Sequence, residues 1–141
     1  MDAFDRVREE LKALTPKVAS DRTGKTVAVL LPCYNEETTI GSVVEGFRRA
    51  LPDATVYVYD NNSIDRTSHA AGKAGAIVRR EPFQGKGNVV RRMFADINAD
   101  IYVLADGDST YDPNHAGTLI DRLVGHNLDI CLLYTSDAAD E

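Results

Sequence analysis

Residues 26–37 have the sequence TVAVLLPCYNEE, and the change of character within this stretch decides the fold. The apolar run at 26–31 is short and continuous, which is typical of a strand covered on both faces, as in a parallel sheet. Pro32 removes a backbone donor, so we expect the strand to end there. The carboxylates of Glu36 and Glu37 then lie near the start of a helix, where negative charge is favoured.

The same alternation of strand and helix continues along the chain. β-Branched and aromatic residues predict three further strands, at 55–59, 76–78 and 101–105. Apolar residues at helical spacing predict helices at 40–51, 65–74 and 89–97 and from Asp112-Pro113 to about Gly125. The pattern predicts an α/β fold with a mostly parallel sheet, helices on both faces and ligands beyond the carboxyl ends of the strands.

The chain divides into three parts. Residues 1–20 carry apolar side chains at helical spacing and predict an amphipathic helix followed by a linker. Residues 21–130 hold the strands and helices of one domain. Residues 131–141 depart from this pattern and resemble a sequencing-library adapter translated in frame, so we expect this tail not to be natural protein.

Composition excludes several classes of protein. The chain has 141 residues and a net charge of −6, whereas proteins that grip nucleic acid usually carry a basic excess, so we expect no nucleic-acid partner. No apolar run is long enough to span a bilayer, and the N-terminus lacks the apolar core of a signal peptide. We therefore expect a cytoplasmic protein, whose longer form could lie at the cytoplasmic face of a membrane only through segments outside this sequence.

Carboxylates follow the ends of the second and fourth predicted strands. Asp60 follows the second strand, and Asp106 and Asp108 follow the fourth, separated by Gly107. Like charges about 4 Å apart repel by about 4 kcal/mol at an effective dielectric of about 20, and a divalent cation removes this conflict. Carboxylate oxygens suit Mg²⁺ or Mn²⁺, which take further ligands from a diphosphate. A metal site at Asp106 and Asp108 is the hypothesis, with a solvated turn as the alternative.

Two polar segments add to these carboxylates. In the turn 61–67, Asn62 or Ser63 is the expected helix cap, which leaves Asp60 without a structural explanation. Lys86, between two glycines, begins the third helix, where backbone N–H groups favour anions. Four arginines lie nearby in sequence: Arg79, Arg80, Arg91 and Arg92. The residues required by dinucleotide and Walker motifs are absent here, which favours phosphate binding through a metal.

Together these segments resemble the family 2 glycosyltransferases, which have a GT-A fold. The resemblance extends from about Thr26 to Ile130 and is carried by residues 31–37, 60–67, 85–87 and 106–108 in the family's order. Among members of the family, the sequence is similar to enzymes of the dolichol-phosphate mannose synthase type. The resemblance implies transfer of a glycosyl group from a UDP- or GDP-sugar with the aid of Mg²⁺ or Mn²⁺.

The resemblance also implies roles for individual residues. Pro32, Tyr34 and Glu36 would line the nucleotide pocket, and Asp60 would accept a hydrogen bond from the base. Asp106 would lie beside the ribose and near the metal, Asp108 would hold the metal, and Lys86 would approach the sugar or phosphates. The family's catalytic base has no counterpart in this chain, so we expect it beyond residue 141 and expect the fragment itself to be inactive.

Several alternatives stay open at this point. The resemblance favours inversion at the anomeric carbon, but some retaining enzymes share a similar opening motif. The acceptor suggested by the similar enzymes is a lipid phosphate such as a polyprenyl phosphate. A sugar nucleotidyltransferase would use a related sheet, although it usually has a glycine-rich loop where residues 32–36 stand. A non-catalytic nucleotide-binding module is the third interpretation, because the chain is short.

Overall fold

The structure is a computed structural model that describes residues 24–130. The helix and linker predicted at 1–20 and the non-native tail predicted at 131–141 lie outside the described residues. Within the described part of the chain, no helix has the length and apolar character needed to cross a bilayer.

Four strands form one parallel sheet. The strands are β1 (Val27–Cys33), β2 (Thr55–Asp60), β3 (Ile77–Arg80) and β4 (Ile101–Leu104), in the order β3-β2-β1-β4. The helices are α1 (Ile40–Ala50), α2 (Thr67–Ala74), α3 (Lys86–Asp96) and α4 (Ala116–Gly125), with a short 3₁₀ helix at Pro113–His115. Every pairing between these strands is parallel, which confirms the predicted α/β fold.

The sheet separates two apolar layers, because successive side chains of a strand point to opposite faces. On one face, Val29 and Leu31 of β1 pack with Phe47 of α1 and with residues of α2 and α4. On the other face, Leu30 packs with Tyr59 of β2 and with residues of α3. Helices therefore cover both faces, as the apolar run of β1 predicts.

The first strand does not end at Pro32, contrary to the expectation from the sequence. β1 continues to Cys33, whose carbonyl accepts a hydrogen bond from the backbone of Asn61 at 2.9 Å. Alternate residues of a strand direct their backbone groups toward the same neighbouring strand. The carbonyl of Leu30 accepts a hydrogen bond from the backbone of Ala105 on the β4 side, so the backbone of Pro32 also faces β4. The β1–β4 pairing ends at Leu30 and Leu104, so the backbone N–H group that Pro32 lacks is not needed for a hydrogen bond to β4.

The side-chain cap expected for α2 is not formed, because the N-cap residue is Arg66 and makes no side-chain capping bond. α2 begins at Thr67, and the side chain of Asp65 accepts hydrogen bonds from the backbone and hydroxyl of Thr67. Asn62 and Ser63 instead bond to neighbouring segments, because the turn between β2 and α2 is longer than the sequence suggests.

The cap expected at Asp112 is present and gives a testable prediction. Its side chain accepts from the backbone of Asn114 at 3.0 Å, at the start of the 3₁₀ helix that leads into α4. We expect Asp112→Ala to lower the free energy of unfolding by about 1 kcal/mol, measured by urea denaturation. Asp129→Ala removes an exposed carboxylate after α4 and is the control; an equal loss in both variants would contradict the capping role.

Candidate functional site

The predicted carboxylates gather at the carboxyl ends of the strands. Cys33 ends the central strand β1 and is paired with Asp60, while the segment after β4 lies on its other side. Burial raises the pKa of the Cys33 thiol, and four surrounding carboxylates raise it further: Glu36, Asp60, Asp106 and Asp108. Negative side chains from three different strand ends therefore act on one buried sulfur atom.

Asp108 is held in its ionised form by the turn that follows it. Its Oδ1 accepts hydrogen bonds from the hydroxyl of Thr110 at 2.7 Å and from the backbone of Thr110 at 3.1 Å. The Thr110 hydroxyl is the main cause that lowers the pKa of Asp108, against a smaller opposing effect of burial. Both of these hydrogen bonds are made to Oδ1 of the carboxylate.

Asp106 is joined to the predicted phosphate-binding lysine. The Nζ of Lys86 lies 2.5 Å from Oδ1 of Asp106, and both side chains are about half exposed. Lys86 is the first residue of α3, so this ion pair connects the start of α3 to the segment after β4. The contact brings two predicted site residues together, although they are 20 positions apart in sequence.

The carboxylates of Asp106 and Asp108 suit a metal ion that takes only some of its ligands from the protein. Within residues 24–130, no group of three or more His, Cys, Asp or Glu side chains is close enough to hold a cation. Asp106 and Asp108 supply hard carboxylate oxygens, which suit Mg²⁺ or Mn²⁺. These cations commonly bind through one or two carboxylates and take their other ligands from substrate phosphates and water. The residues present match that manner of binding.

Asp60 differs from the other carboxylates because it is almost fully buried, with 3% of its surface exposed. Its Oδ1 accepts from the backbone of Ser63 at 2.9 Å, and its Oδ2 accepts from the hydroxyl of Ser68 at 2.5 Å. Asp60 thus holds the turn between β2 and α2, a structural role that the sequence did not reveal. Each carboxylate oxygen retains a further lone pair, and the contact with a base stays a prediction.

The segment after β1 is joined to the β2–α2 turn by reciprocal hydrogen bonds. The backbone of Asn35 donates to the hydroxyl of Ser63 at 2.8 Å, and the side chain of Asn35 accepts from the backbone of Ile64 at 2.9 Å. The backbone of Glu36 donates to the hydroxyl of Thr67 at 2.9 Å. These bonds fix the two segments that carry the predicted nucleotide-pocket residues.

Pro32, Tyr34 and Glu36, which were predicted to line the nucleotide pocket, differ in how far their side chains are exposed. Tyr34 has 51% of its surface exposed at the rim, and Glu36 is partly buried beside Asp108. Pro32 is buried within β1, where it pairs with Tyr59 in the sheet. Tyr34 and Glu36 are therefore accessible to a ligand, whereas Pro32, which was expected to line the pocket, is buried in the sheet.

The glycine between the two aspartates is required by close packing. A Cβ atom at Gly107 would lie 2.6 Å from the Sγ of Cys33 and 3.1 Å from the Cδ1 of Ile40. The carbonyl of Gly107 accepts from the hydroxyl of Thr39 at 2.6 Å. Cys33 and Thr39 thus position the segment of the two aspartates, and the sequence alone predicts this role for neither residue.

The site is an open rim rather than a closed cavity. A groove of about 460 Å³ runs along β4 and α4, lined by apolar residues that include Leu104, Leu119 and Leu123. A smaller cavity of about 360 Å³ lies between α1 and the residues that follow Asp108. Neither contains any of the predicted site residues, so the gathered carboxylates and not these cavities define the candidate site.

The charge of the rim gives a second testable prediction. The pKa of Glu36 is raised by partial burial and next by the negative charge of Asp108. The folded protein therefore binds this proton more tightly than the unfolded chain, and stability falls as the pH rises above about 4.5. We expect Glu36→Gln to increase the free energy of unfolding at pH 7, by less than about 1 kcal/mol.

Denaturation in the presence of a metal chelator at a series of pH values measures this effect. The gain from Glu36→Gln should largely disappear near pH 3.5, where the Glu36 carboxyl group is mostly protonated in both the folded and the unfolded state. Glu45→Gln removes an exposed carboxylate on α1 and is the matched control. A gain that stays constant across the pH range would contradict the electrostatic explanation.

The fold is an α/β domain with a parallel sheet, a class in which ligands bind beyond the carboxyl ends of the strands. Residues 28–136 match the family model described as Glycosyl transferase family 2. The chain belongs to this family, and the expected GT-A fold is confirmed by its structural relatives.

Two curated proteins are similar in sequence to this chain. Protein RfbJ of Shigella flexneri is 46% identical over 115 residues, which are 82% of this chain and 89% of the relative. Glycosyltransferase AglJ of Haloferax volcanii is 38% identical over 102 residues, which are 72% of this chain and 33% of the relative. The chain thus spans most of the first relative and about a third of the second.

A solved structure is similar in both sequence and fold. It is the crystal structure of glucosyl-3-phosphoglycerate synthase from Mycobacterium tuberculosis in complex with Mn²⁺, UDP-glucose and phosphoglyceric acid. The TM-score is 0.65 at 31% identity, and the match covers 74% of this chain and 40% of the synthase. The chain therefore corresponds to less than half of that enzyme.

Proposed function

We propose that the protein containing this chain transfers a glycosyl group from a nucleoside-diphosphate sugar to an acceptor, in a reaction that depends on a divalent metal. The observation that carries this proposal is the gathering of Glu36, Asp60, Asp106 and Asp108 beyond one end of the sheet in a family 2 chain. The similar synthase, crystallised with Mn²⁺ and UDP-glucose, supports the same donor class and metal.

In this proposal, different rim residues contact different parts of the nucleotide-sugar donor. Tyr34 and Asp60 contact the base, with Pro32 and Glu36 completing the pocket. Asp106 would contact the ribose and, with Asp108, would hold Mn²⁺ or Mg²⁺. When bound, the metal supplies positive charge that offsets the charge developing on the departing diphosphate.

In the proposed mechanism, Lys86 binds the diphosphate of the donor in addition to its contact with Asp106. In the free protein its ammonium group neutralises Asp106. The same side chain could instead reach a phosphate oxygen of the donor, because lysine carries a compact charge on a rotatable stem. Lys86 then adds a charge-assisted hydrogen bond to a phosphate oxygen.

The acceptor and the stereochemistry form the finer part of the proposal. We infer an acceptor that carries a phosphate, either a lipid phosphate or a small phosphorylated acid, and inversion at the anomeric carbon. The phosphoglyceric acid bound by the similar synthase supports a phosphorylated acceptor. The base that activates the acceptor is proposed to lie outside these residues, and the cytoplasmic location predicted from the sequence stays part of this proposal.

Calorimetric titration tests the donor assignment directly. The protein is titrated with a UDP-sugar and a GDP-sugar, with Mn²⁺ and with a chelator. We expect saturable binding of one donor that requires Mn²⁺, and little or no sugar transfer by this fragment. Binding of a free nucleoside triphosphate and a sugar phosphate, with release of pyrophosphate, would instead identify a nucleotidyltransferase. Failure of every donor to bind would overturn the proposal.

A further inference from the structure

The loop between β3 and α3 is held by one buried side chain, Asn61, which has 4% of its surface exposed. The Nδ2 of Asn61 donates to the carbonyl of Glu81 at 2.8 Å and to that of Phe83 at 2.9 Å. Its Oδ1 accepts from the backbone of Gly85 at 2.8 Å. The backbone N–H of Asn61 also donates to the carbonyl of Cys33, so the loop is tied to the end of the central strand.

The chemistry of these three bonds requires an amide. Two of the partners are carbonyl oxygens, which need a donor, and the third is a backbone N–H group, which needs an acceptor. A carboxylate of the same shape would accept from Gly85 but would face two carbonyl oxygens without a proton to offer. Asn62 adds a weaker contact of the same kind, since its amide donates to the carbonyl of Pro82 at 2.9 Å.

The end of this loop determines where Lys86 lies. Gly85 has φ 130° and ψ 135°, which side-chain-bearing residues rarely adopt, and its carbonyl accepts the first backbone bonds of α3. Lys86 follows at once and reaches Asp106 across the rim. The contact between Asn61 and the Gly85 N–H therefore fixes the point from which the Lys86 side chain extends.

We infer that Asn61 is a positioning residue for the donor site and acts through Lys86. The inference rests on the proposed function, in which Lys86 binds the donor's diphosphate, and adds a residue that touches neither donor nor metal. Loss of the Asn61 contacts frees the 81–85 loop and moves Lys86 away from the phosphate, so donor affinity falls while the sheet and the metal-binding aspartates remain in place.

A double-mutant cycle on donor affinity tests this inference. Calorimetry with a UDP-sugar and Mn²⁺ is applied to Asn61→Asp, Asn61→Ala, Lys86→Ala and the two double variants. We expect each single variant to weaken binding about tenfold or more, as for loss of a hydrogen bond to a charged group. In the Lys86→Ala background, either change at Asn61 should weaken binding less than about twofold, because the two residues act in series.

Matched controls separate positioning from general damage. Asn61→Ala removes the bonds without adding charge, and Asn98→Asp adds the same charge at an exposed position before β4, where donor affinity should not change. Thermal unfolding verifies that each variant is folded. Additive losses in the cycle, or full affinity in Asn61→Ala, would overturn the inference.

Hydrogen exchange in the unaltered protein provides an independent measurement. The amide of Gly85 should exchange more slowly than exposed loop amides, because Asn61 accepts its hydrogen bond in a buried position. Exchange as fast as in exposed loops would overturn the inference even if no variant folds. Failure of the unaltered protein to bind any donor would instead contradict the proposed function, and an unchanged affinity in Lys86→Ala would contradict the role of that lysine.

Discussion

Replacing Asp108 with asparagine is expected to weaken Mn²⁺-dependent binding of a UDP-sugar by about a hundredfold or more. The asparagine keeps the size of the side chain and can still accept the hydrogen bonds from Thr110 through its carbonyl oxygen. It removes the negative charge and one anionic oxygen from the proposed metal site. The change therefore separates the role in metal binding from the role in the turn.

Titration of donor and of Mn²⁺ alone, each followed by calorimetry, measures the effect. Asp129→Asn removes an exposed carboxylate at the end of the described residues and should leave donor affinity unchanged. Unfolding by urea shows whether the turn at Thr110 is preserved. An Asp108→Asn protein that binds the donor with the affinity and Mn²⁺ dependence of the original chain would remove Asp108 from the metal site.

Substitution of alanine at Gly107 is expected to lower the free energy of unfolding by about 1–3 kcal/mol, as in other overpacked sites. The added methyl group would lie 2.6 Å from the sulfur of Cys33 and 3.1 Å from Ile40, both of which are buried. Relief of this contact requires movement of the segment that carries Asp106 and Asp108. We therefore expect donor binding to weaken together with stability.

A compensating substitution makes this prediction specific. Cys33→Ala removes the sulfur that the new methyl group would meet, so the double variant should recover part of the stability lost in Gly107→Ala. Gly117→Ala is the matched control, since nothing lies within 4 Å of a Cβ there and α4 should become slightly more stable. Equal behaviour of the two glycine variants in urea denaturation would show that close packing at Cys33 is unimportant.

The fold could be predicted because its signals are local. The apolar run of β1 and the helical spacing after Ile40 indicate buried elements without knowledge of their neighbours. Two aspartates after a strand also indicate a rim position, because parallel strands end at the same edge of a sheet. The grouping of the carboxylates at one rim followed from the order of elements.

Other features could not be predicted because they depend on tertiary neighbours. The passage of β1 through Pro32 depends on where β4 ends, which no local pattern encodes. The burial of Asp60 depends on Ser63 and Ser68 folding back onto its carboxylate. Asn61 was interpreted only as part of a polar turn, because its partners in the 81–85 loop lie some 20 to 24 positions further along the chain.

The reciprocal hydrogen bonds between the segment after β1 and the β2–α2 turn have a consequence for protein engineering. Asn35 and Ser63 depend on each other, and the backbone of Glu36 depends on Thr67, so neither segment has an independent shape. A chimera that takes only residues 34–37 from a relative would carry new side chains on a backbone whose anchors no longer match. If these segments bind the donor as proposed, both should be transplanted as one unit when donor preference is exchanged between relatives.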